Sequence, residues 1–359
     1  METKRERKSN IELLRILAIW GVVILHYNNP SIGGGMAYAS EGGINFYFLY
    51  FLESCCICAV DLFMLISGYF LVESKSRNVW RVLELIAQVM VFNVGIYIVR
   101  SLTGHNSISI KYIIISLIPA NYFIILYCVV FVVSPFINKL MNELEMKQLR
   151  TFMLLIFILF SVYPTLVDML CNITGKEWIG LSTVGMYGSQ WGYSAINFML
   201  MYCIGAFIRI KGIEDKNRVK ALLIFLVCAI VLLFWSRTND RIGYFTEKSA
   251  WEYCNPIVIL MAINIFIVFI KTEIGTRKWI NKLAKGALTV YLTHGVLIRH
   301  VGIEKFAQGN TFLMLLHIIA VSIGLYLIGY ICFIIYDFIT KPIWKVLESK
   351  INIPKIEVD

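Results

Sequence analysis

Ten long apolar segments constrain what this chain can fold into more than any other feature. They lie at residues 11–28, 45–72, 82–99, 112–137, 151–170, 191–210, 220–235, 251–270, 286–300 and 311–340. A membrane-crossing helix needs about 20 predominantly apolar residues. Only 16% of the 359 residues are charged, against about 25% in soluble domains, which excludes a soluble globular fold. The segments therefore predict an all-α integral membrane protein with about ten transmembrane helices.

The basic residues between the segments predict the orientation of the chain. The connections on one side hold 24 of the 33 Lys and Arg residues, those on the other side hold eight, and Arg15 lies inside the first segment. Under the positive-inside rule this imbalance puts both termini in the cytoplasm. We expect cytoplasmic tails at residues 1–10 and 341–359 around a transmembrane domain at 11–340. Because the net charge of +10 is spread over these connections, it indicates topology, and no nucleic-acid partner is expected.

The cysteines do not indicate a redox or metal function. Most of the nine lie inside apolar runs, where cysteine behaves as a small hydrophobic residue. The chain has no His/Cys spacing of the kind that binds zinc. We expect neither a disulfide nor a metal.

The first segment carries three ionisable residues on one helical face. Arg15 and His26 are eleven residues apart, which on a helix is three turns plus roughly 20° and a rise of roughly 16 Å. Glu12 lies one turn before Arg15 and can pair with it. Each is a functional candidate, because an ionisable side chain in a spanning helix costs on the order of 2.5–3.5 kcal/mol. The alternative is that all three only reach the two membrane interfaces.

The second segment places a carboxylate near the height of His26. With a rise of 1.5 Å per residue from the cytoplasmic ends, Asp61 lies about 16 Å deep and His26 about 22 Å deep. A carboxylate beside an imidazole fixes its tautomer and makes it more basic, as in acyl-transfer enzymes in which an acid orients a histidine base. We therefore expect Asp61 to orient His26.

Two further groups have both a functional and a structural interpretation. Ser67, Gly68 and Tyr69 follow Asp61, and Gly68 allows either a neighbouring backbone or a thin ligand to approach closely. Tyr291 and His294 stand at i and i+3 on one helical face. His294 is interpreted equally well as a functional group or as a packed, hydrogen-bonded histidine.

The order and spacing of these residues resemble the acyltransferase-3 family of membrane O-acyltransferases, which has about ten helices. The resemblance rests on the Arg15-x10-His26 arrangement preceded by Glu12, DLFMLISGYF at 61–70, SPF around Pro135, MYCIGAFIR at 201–209 and YLTH at 291–294. It runs along nearly the whole chain.

The resemblance implies transfer of an acyl group, most often acetyl, from cytoplasmic acetyl-CoA to a hydroxyl of a cell-envelope or surface carbohydrate. The implied partners are acyl-CoA, a glycan acceptor and the lipid bilayer, with the protein in a bacterial-type plasma membrane. His26 matches the family's essential histidine, as a general base or a transient acyl carrier, and Arg15 matches its paired arginine. Ser67, Gly68 and Tyr69 match the family's SGF/SGY motif.

The expected coenzyme A site lies on the cytoplasmic side. The family often shows an RxxR pair after its second or third helix, whereas here Arg77 and Arg81 stand one residue further apart. Because the phosphates of coenzyme A need cations, we expect Arg15, Arg77 and Arg81 to bind it, together with the SGY motif. The acceptor is expected to enter from the other side, between His26 and the glycine-rich loop at 29–43.

Two other classes of function remain open from the sequence. A carrier or flippase for a lipid-linked sugar could use the charged stripe on the first helix, formed by Glu12, Arg15 and His26, as an ion path. A membrane sensor or scaffold would perform no chemistry. The absence of an internal repeat disfavours an inverted-repeat carrier.

Overall fold

The computed structural model describes residues 8–104, 107–213, 215–242 and 249–358, and each of the ten predicted segments contains helix. The α-helices in these ranges are α1 Ser9–Asn28, α2 Gly35–Tyr38, α3 Ile44–Cys56, α4 Ala59–Leu71, α5 Trp80–Leu102, α6 Ile110–Ser116, α7 Tyr122–Glu143, α8 Met146–Phe157, α9 Tyr163–Thr174, α10 Ala195–Lys211, α11 Arg218–Ile242, α12 Pro256–Ile270, α13 Lys278–Leu283, α14 Ala287–Leu297, α15 Glu304–Ala307 and α16 Thr311–Lys350. Two short strands, β1 Ser76–Arg77 and β2 Ile356–Glu357, pair antiparallel.

Seven helical stretches of the described chain are long and apolar enough to cross a membrane. They are Ser9–Asn28, Ile44–Leu71, Trp80–Leu102, Tyr122–Glu143, Met146–Thr174, Arg218–Thr238 and Thr311–Lys350. The other three predicted spans coincide with shorter helices, since α10 has 17 residues, α12 has 15 and α14 has 11. At 1.5 Å per residue, α14 rises only about 17 Å, roughly half the thickness of the hydrocarbon core. The fold is thus all-α, and length and composition support seven of the ten predicted spans.

Several long stretches depart from a simple membrane helix. The second predicted span is divided into α3 and α4 at residues 57–58, and a π-helical turn at Ile158–Val162 separates α8 from α9. The predicted domain boundaries fall inside helices, because α1 begins at Ser9 and α16 continues to Lys350. With 40 residues, α16 rises about 60 Å and therefore extends well beyond a bilayer core.

The helix ends gather on two sides of the bundle. On the side where α1 begins, the Ser9 hydroxyl donates to Asn281 Oδ1 at 2.9 Å, and β1 pairs with β2. On the side where α1 ends, Asn45 Nδ2 donates to the Ala307 carbonyl at 2.9 Å. We call these the amino-terminal side and the opposite side.

The closest helix contact in the core joins α4 and α10. A Cβ atom on Gly68 would overlap the carbonyl oxygen of Tyr202, and one on Gly205 would overlap the carbonyl oxygen of Leu65. The two backbones therefore touch where these glycines face each other, as small residues permit between membrane helices. The backbone of α10 therefore occupies the space beside Gly68, which corresponds to the structural interpretation of the SGY motif.

The outer surface of the bundle is apolar. Val91 on α5, Phe234 on α11 and Phe338 on α16 are 51%, 68% and 82% exposed, whereas the interior holds buried polar residues such as Asp61 and Asn138. A soluble monomer rarely exposes large contiguous apolar patches. The surface therefore suits contact with lipid.

Candidate functional site

The stripe predicted on α1 begins with a close ion pair. Arg15 Nη1 lies 2.5 Å from Glu12 Oε1, with the Glu12 side chain 5% exposed and that of Arg15 30% exposed. Because Glu12 is almost buried and i,i+3 neighbours lie on the same face of a helix, it holds the guanidinium in position. Arg15 is thereby fixed at the wall of a cavity on the amino-terminal side.

That cavity, which we call the basic chamber, has a volume of about 460 Å³. Its charged and polar lining residues are Glu12, Arg15, Ser67, Arg81, Gln88, Lys285 and Asp337. Three cations thus face two carboxylates. Since charge-assisted hydrogen bonds to phosphate are the strong ones, this excess of positive charge suits an anionic ligand.

A second cavity, which we call the histidine chamber, lies around the other end of the stripe and has a volume of about 690 Å³. Its lining includes His26, His294, Arg100, Arg299, Asn121 and four tyrosines, Tyr122, Tyr193, Tyr253 and Tyr291. Tyr291 and His294 face the same space, as their i, i+3 spacing predicts.

The two chambers share part of their wall, which we call the neck. Val22 on α1, Val60 on α4 and Tyr291 on α14 line both cavities. Val22 lies between Arg15 and His26 on α1, so the predicted stripe passes from one chamber to the other along a single helix. The helical rise of roughly 16 Å from Arg15 to His26 therefore extends from the basic chamber, past the neck, to the histidine pair.

His26 and His294 form a hydrogen-bonded pair. His26 Nδ1 bonds to His294 Nε2, and the ring centroids lie 4.6 Å apart. His294 Nδ1 lies 3.1 Å from the carbonyl oxygen of Val290. His294 is 2% exposed. Because both of its ring nitrogens are hydrogen-bonded to protein atoms, the orientation of its ring is fixed.

These contacts specify the tautomers of both rings. A carbonyl oxygen only accepts hydrogen bonds, so His294 Nδ1 carries the proton and donates to Val290. In a neutral imidazole the other nitrogen is then an acceptor, and His26 Nδ1 must donate to His294 Nε2. The remaining nitrogen, His26 Nε2, therefore has a free lone pair, and no partner for it is found within the described part of the chain. His26 is thus arranged as a base or nucleophile.

Asp61 does not contact His26 in this arrangement, contrary to the expectation from depth. Its side chain is 2% exposed, and Asn197 Nδ2 on α10 donates to Asp61 Oδ1 at 3.2 Å. Asp61 Oδ2 and Asn197 Oδ1 have no hydrogen-bond partner among the residues described. Two groups at similar heights can face different neighbours, and Asp61 faces α10, where it pairs with an amide. The residue that orients His26 is His294.

The SGY motif reaches the basic chamber only in part. Ser67 lines that chamber, but its hydroxyl donates to the Phe63 carbonyl at 2.7 Å. Gly68 is at the contact with α10, and Tyr69 packs against Phe266, with ring centroids 5.0 Å apart. Only Ser67 of the three is in a position to contact a ligand in the chamber.

Arg77 and Arg81 occupy different environments. Arg77 is 3% exposed and donates five hydrogen bonds to protein acceptors, among them Ser134 Oγ at 2.7 Å and the Ser76 carbonyl at 2.8 Å. Arg81 lines the basic chamber, pairs with Glu84 at 3.1 Å and has a side chain that is 60% exposed. Arg77 thus anchors the segment between α4 and α5, whereas Arg81 is available to a ligand.

The glycine-rich segment at 29–43 is packed against α1 and contains the helix α2. The Gly33 amide donates to the His26 carbonyl at 3.0 Å, and a side chain on Gly33 would overlap the backbone of Tyr27. Ile32 of this segment lines the histidine chamber. The segment fixes the end of α1 beside His26.

Several residues that line the two chambers were not predicted from the sequence. Lys285 and Gln88 belong to the basic chamber, and Arg100, Tyr193 and Arg299 to the histidine chamber. Arg299 could have been considered from the sequence, because it stands only five residues after the candidate His294. Among the described residues, no cluster of His, Cys, Asp and Glu has the geometry of a metal site.

Comparison with known proteins agrees with this architecture. A family model described as an acyltransferase domain, that of the acyltransferase-3 family, matches residues 8–339. No curated protein and no solved structure matches the chain. The match includes both chambers and the neck, and with the seven apolar helices it indicates a multi-pass membrane protein. Because it extends over nearly the whole sequence, the chain belongs to the acyltransferase-3 family.

Proposed function

We propose that this acyltransferase moves an acetyl group from acetyl-CoA to a hydroxyl of a cell-envelope carbohydrate, across a bacterial-type plasma membrane. The observation that supports the proposal is that two chambers share a wall at the neck, with the His26–His294 pair on one side of it and a cationic cavity on the other. Donor and acceptor would thus approach one histidine from opposite sides.

The basic chamber is the proposed site of the donor. Arg15, Arg81 and Lys285 would bind the phosphates of coenzyme A, since guanidinium and ammonium groups are the usual phosphate ligands. The thin pantetheine arm would run along α1 and through the neck, over the roughly 16 Å between Arg15 and His26. The excess of basic residues predicts that this side is cytoplasmic, where acetyl-CoA is available.

His26 would supply the base. Its Nε2 lone pair takes the proton from the acceptor hydroxyl while the hydroxyl oxygen attacks the thioester carbonyl. The carbon–sulfur bond then breaks, and the coenzyme A thiolate receives the proton from His26. General-base help of this kind typically contributes 10²- to 10⁴-fold. In the alternative, the same lone pair attacks the thioester and His26 carries the acetyl group briefly.

His294 would act as a positioning residue. By accepting from His26 Nδ1 it holds the tautomer that leaves Nε2 free, and it remains bonded when His26 becomes positively charged. The backbone carbonyl of Val290 fixes His294 in turn. This is the role that a carboxylate has in a Ser-His-Asp triad, here performed by a second imidazole.

The test uses the purified full chain in lipid nanodiscs with radiolabelled acetyl-CoA and glycans extracted from the envelope of the host. We expect coenzyme A to raise the melting temperature and label to appear in the glycans. His26→Ala should abolish labelling, while His317→Ala should not, because His317 bonds to Tyr27 outside both chambers. An acid quench that traps labelled protein would select the acyl-histidine route.

A second variant distinguishes the chamber arrangement from other functions. Val22→Phe narrows the neck, so we expect coenzyme A to stabilise this variant while transfer is lost. No stabilisation of the unmodified protein by coenzyme A, together with sugar movement in the absence of any acyl donor, would overturn the proposal in favour of a carrier.

A further inference from the structure

The histidine chamber has an unusual charge for a site that receives a carbohydrate. Among the residues that the structure describes, its lining includes two arginines, Arg100 and Arg299, and no aspartate or glutamate. Arg100 lies in the last turn of α5, and Arg299 follows the end of α14. A neutral sugar needs no fixed charge for recognition, so these cations call for a separate explanation.

Neither arginine is engaged by a carboxylate within the described part of the chain. Other arginines of the protein do form ion pairs with carboxylates. These pairs are Arg15 with Glu12, Arg81 with Glu84 and Arg209 with Glu73. Arg100 and Arg299 are both exposed and therefore keep their guanidinium donors available. Because guanidinium binds carboxylate and phosphate in a bidentate manner, the pair forms a receptor for an anionic group.

Arg299 lies close to the reacting histidines along the chain. It stands five residues after His294, which corresponds to roughly 8 Å along a helix axis. Both Arg299 and His26 line the histidine chamber, so one ligand in that chamber can place an anionic group at Arg299 and a hydroxyl at His26. An acceptor in which the charge and the acylated hydroxyl belong to the same or adjacent sugars suits this arrangement.

The remaining wall of the chamber is aromatic. The ring centroids of Tyr122 and Tyr193 are 4.6 Å apart, and those of Tyr193 and Tyr253 are 5.0 Å apart. Such rings offer an apolar face together with a polar hydroxyl, as a sugar ring requires. A phenol hydroxyl can both donate to and accept from sugar oxygens.

We propose that the acceptor is an anionic carbohydrate, whose carboxylate or phosphate is bound by Arg100 and Arg299 while its sugar ring packs against the tyrosines beside His26. This inference rests on the proposed acyl transfer and specifies its substrate class. The chamber volume of about 690 Å³ lies within the range of about 300–1,000 Å³ common for small-ligand sites, which is sufficient for a short glycan segment.

The experiment compares acceptors that differ in charge. Envelope glycans are separated by anion exchange into bound and unbound pools, and each pool is offered to the full chain in phosphatidylcholine nanodiscs with radiolabelled acetyl-CoA. We expect the label in the anionic pool. Reduction of its carboxylates should remove acceptor activity if the anion is a uronate, and cleavage with hydrofluoric acid should remove it if the anion is a phosphodiester.

Variants of Arg100 and Arg299 test whether these two residues cause the preference for anionic acceptors. We expect Arg299→Gln and Arg100→Gln each to lower kcat/KM for the anionic pool about 10- to 100-fold, the loss typical of one hydrogen bond to a charged group. Arg299→Lys should retain part of the activity. Lys305→Gln is the matched control, because Lys305 is an exposed cation on the same side that does not line the chamber.

The outcomes separate this inference from the proposed function. Label that appears mainly in the neutral pool, or equal losses for neutral and anionic pools in the arginine variants, would overturn the anionic acceptor while acyl transfer stands. Equal losses would also indicate that the arginines serve the fold or bind lipid headgroups. If coenzyme A neither stabilises the protein nor donates label to any pool, the proposed function itself fails.

Discussion

The imidazoles of His26 and His294 stack with their centroids 4.6 Å apart although 268 residues separate them in the chain. The hydrogen bond between them runs from His26 Nδ1 to His294 Nε2, and the next one runs from His294 Nδ1 to a backbone carbonyl. This order of donors leaves one lone pair unused, on His26 Nε2. A hydrogen-bonded pair of imidazoles thus stands where the sequence predicted a pair of His26 and Asp61.

The first prediction concerns His294 as a positioning residue. We expect His294→Ala to lower kcat by about 10²- to 10⁴-fold with little change in coenzyme A affinity, because loss of an orienting partner has that scale in a Ser-His-Asp triad. His294→Gln should recover part of the rate, since its amide oxygen can accept from His26 Nδ1. Steady-state kinetics and calorimetric titration with coenzyme A measure the two quantities.

The double variant His26→Ala/His294→Ala provides the control for this prediction. If the two residues act as one unit, it should be no slower than His26→Ala alone, because such effects are strongly non-additive. Independent, additive losses would contradict a relay. So would a His294→Gln protein that is as slow as His294→Ala.

The second prediction is that Asp61→Asn keeps transfer within about threefold of the unmodified rate. An asparagine at this position can accept from Asn197 Nδ2 and donate to Asn197 Oδ1, which has no partner among the described residues. Asp61→Leu should instead lower the melting temperature, because it leaves the buried Asn197 amide unpaired. A severe loss of kcat in a stable Asp61→Asn protein would return Asp61 to the mechanism.

The third prediction separates the two arginines after α4. Arg81→Ala should weaken coenzyme A binding about 3- to 10-fold and leave the melting temperature unchanged, because Arg81 is exposed at the basic chamber and exposed charges contribute little to stability. Arg77→Ala should destabilise the fold by about 1–3 kcal/mol, since it leaves buried acceptors unpaired. The reverse pattern in titration and thermal unfolding would be inconsistent with this assignment.

The fourth prediction tests the contact between α4 and α10. Gly205→Ala should destabilise the protein by about 1–3 kcal/mol, the usual cost of overpacking, because the added methyl group meets the Leu65 carbonyl. Gly95→Ala on α5 is the matched control, since nothing lies within 4 Å of a Cβ at that position, and alanine there should stabilise the helix by up to about 1 kcal/mol. Denaturation midpoints in detergent measure both, and equal shifts would argue against the close crossing.

Helical spacing accounts for what the sequence could predict about the site. The spacing of eleven positions from Arg15 to His26, and of three from Tyr291 to His294, fixes which side chains share a face whatever the helix packs against. The structure accordingly has Arg15 and His26 at two adjacent chambers, and Tyr291 and His294 in one of them. Such regularities lie within a single helix and can be derived from one sequence.

Contacts between helices could not be derived in the same way. Depth in the membrane put Asp61 near His26, but the rotation of α4 about its axis depends on the contact that Gly68 makes with α10. That rotation directs Asp61 to Asn197. The number of spans was similarly uncertain, because α14 is only 11 residues long and owes its position to surrounding helices, including α1 and α16.

The separation of His26 and His294 along the chain also affects biosynthesis. Chains emerge from the ribosome from the amino terminus, at about 5–20 residues per second, so α1 is made long before α14. During that interval His26 has no imidazole partner, and the wall that carries Tyr291 does not exist. A nascent chain can therefore be inserted before the histidine chamber is complete, and the histidine pair forms only near the end of translation.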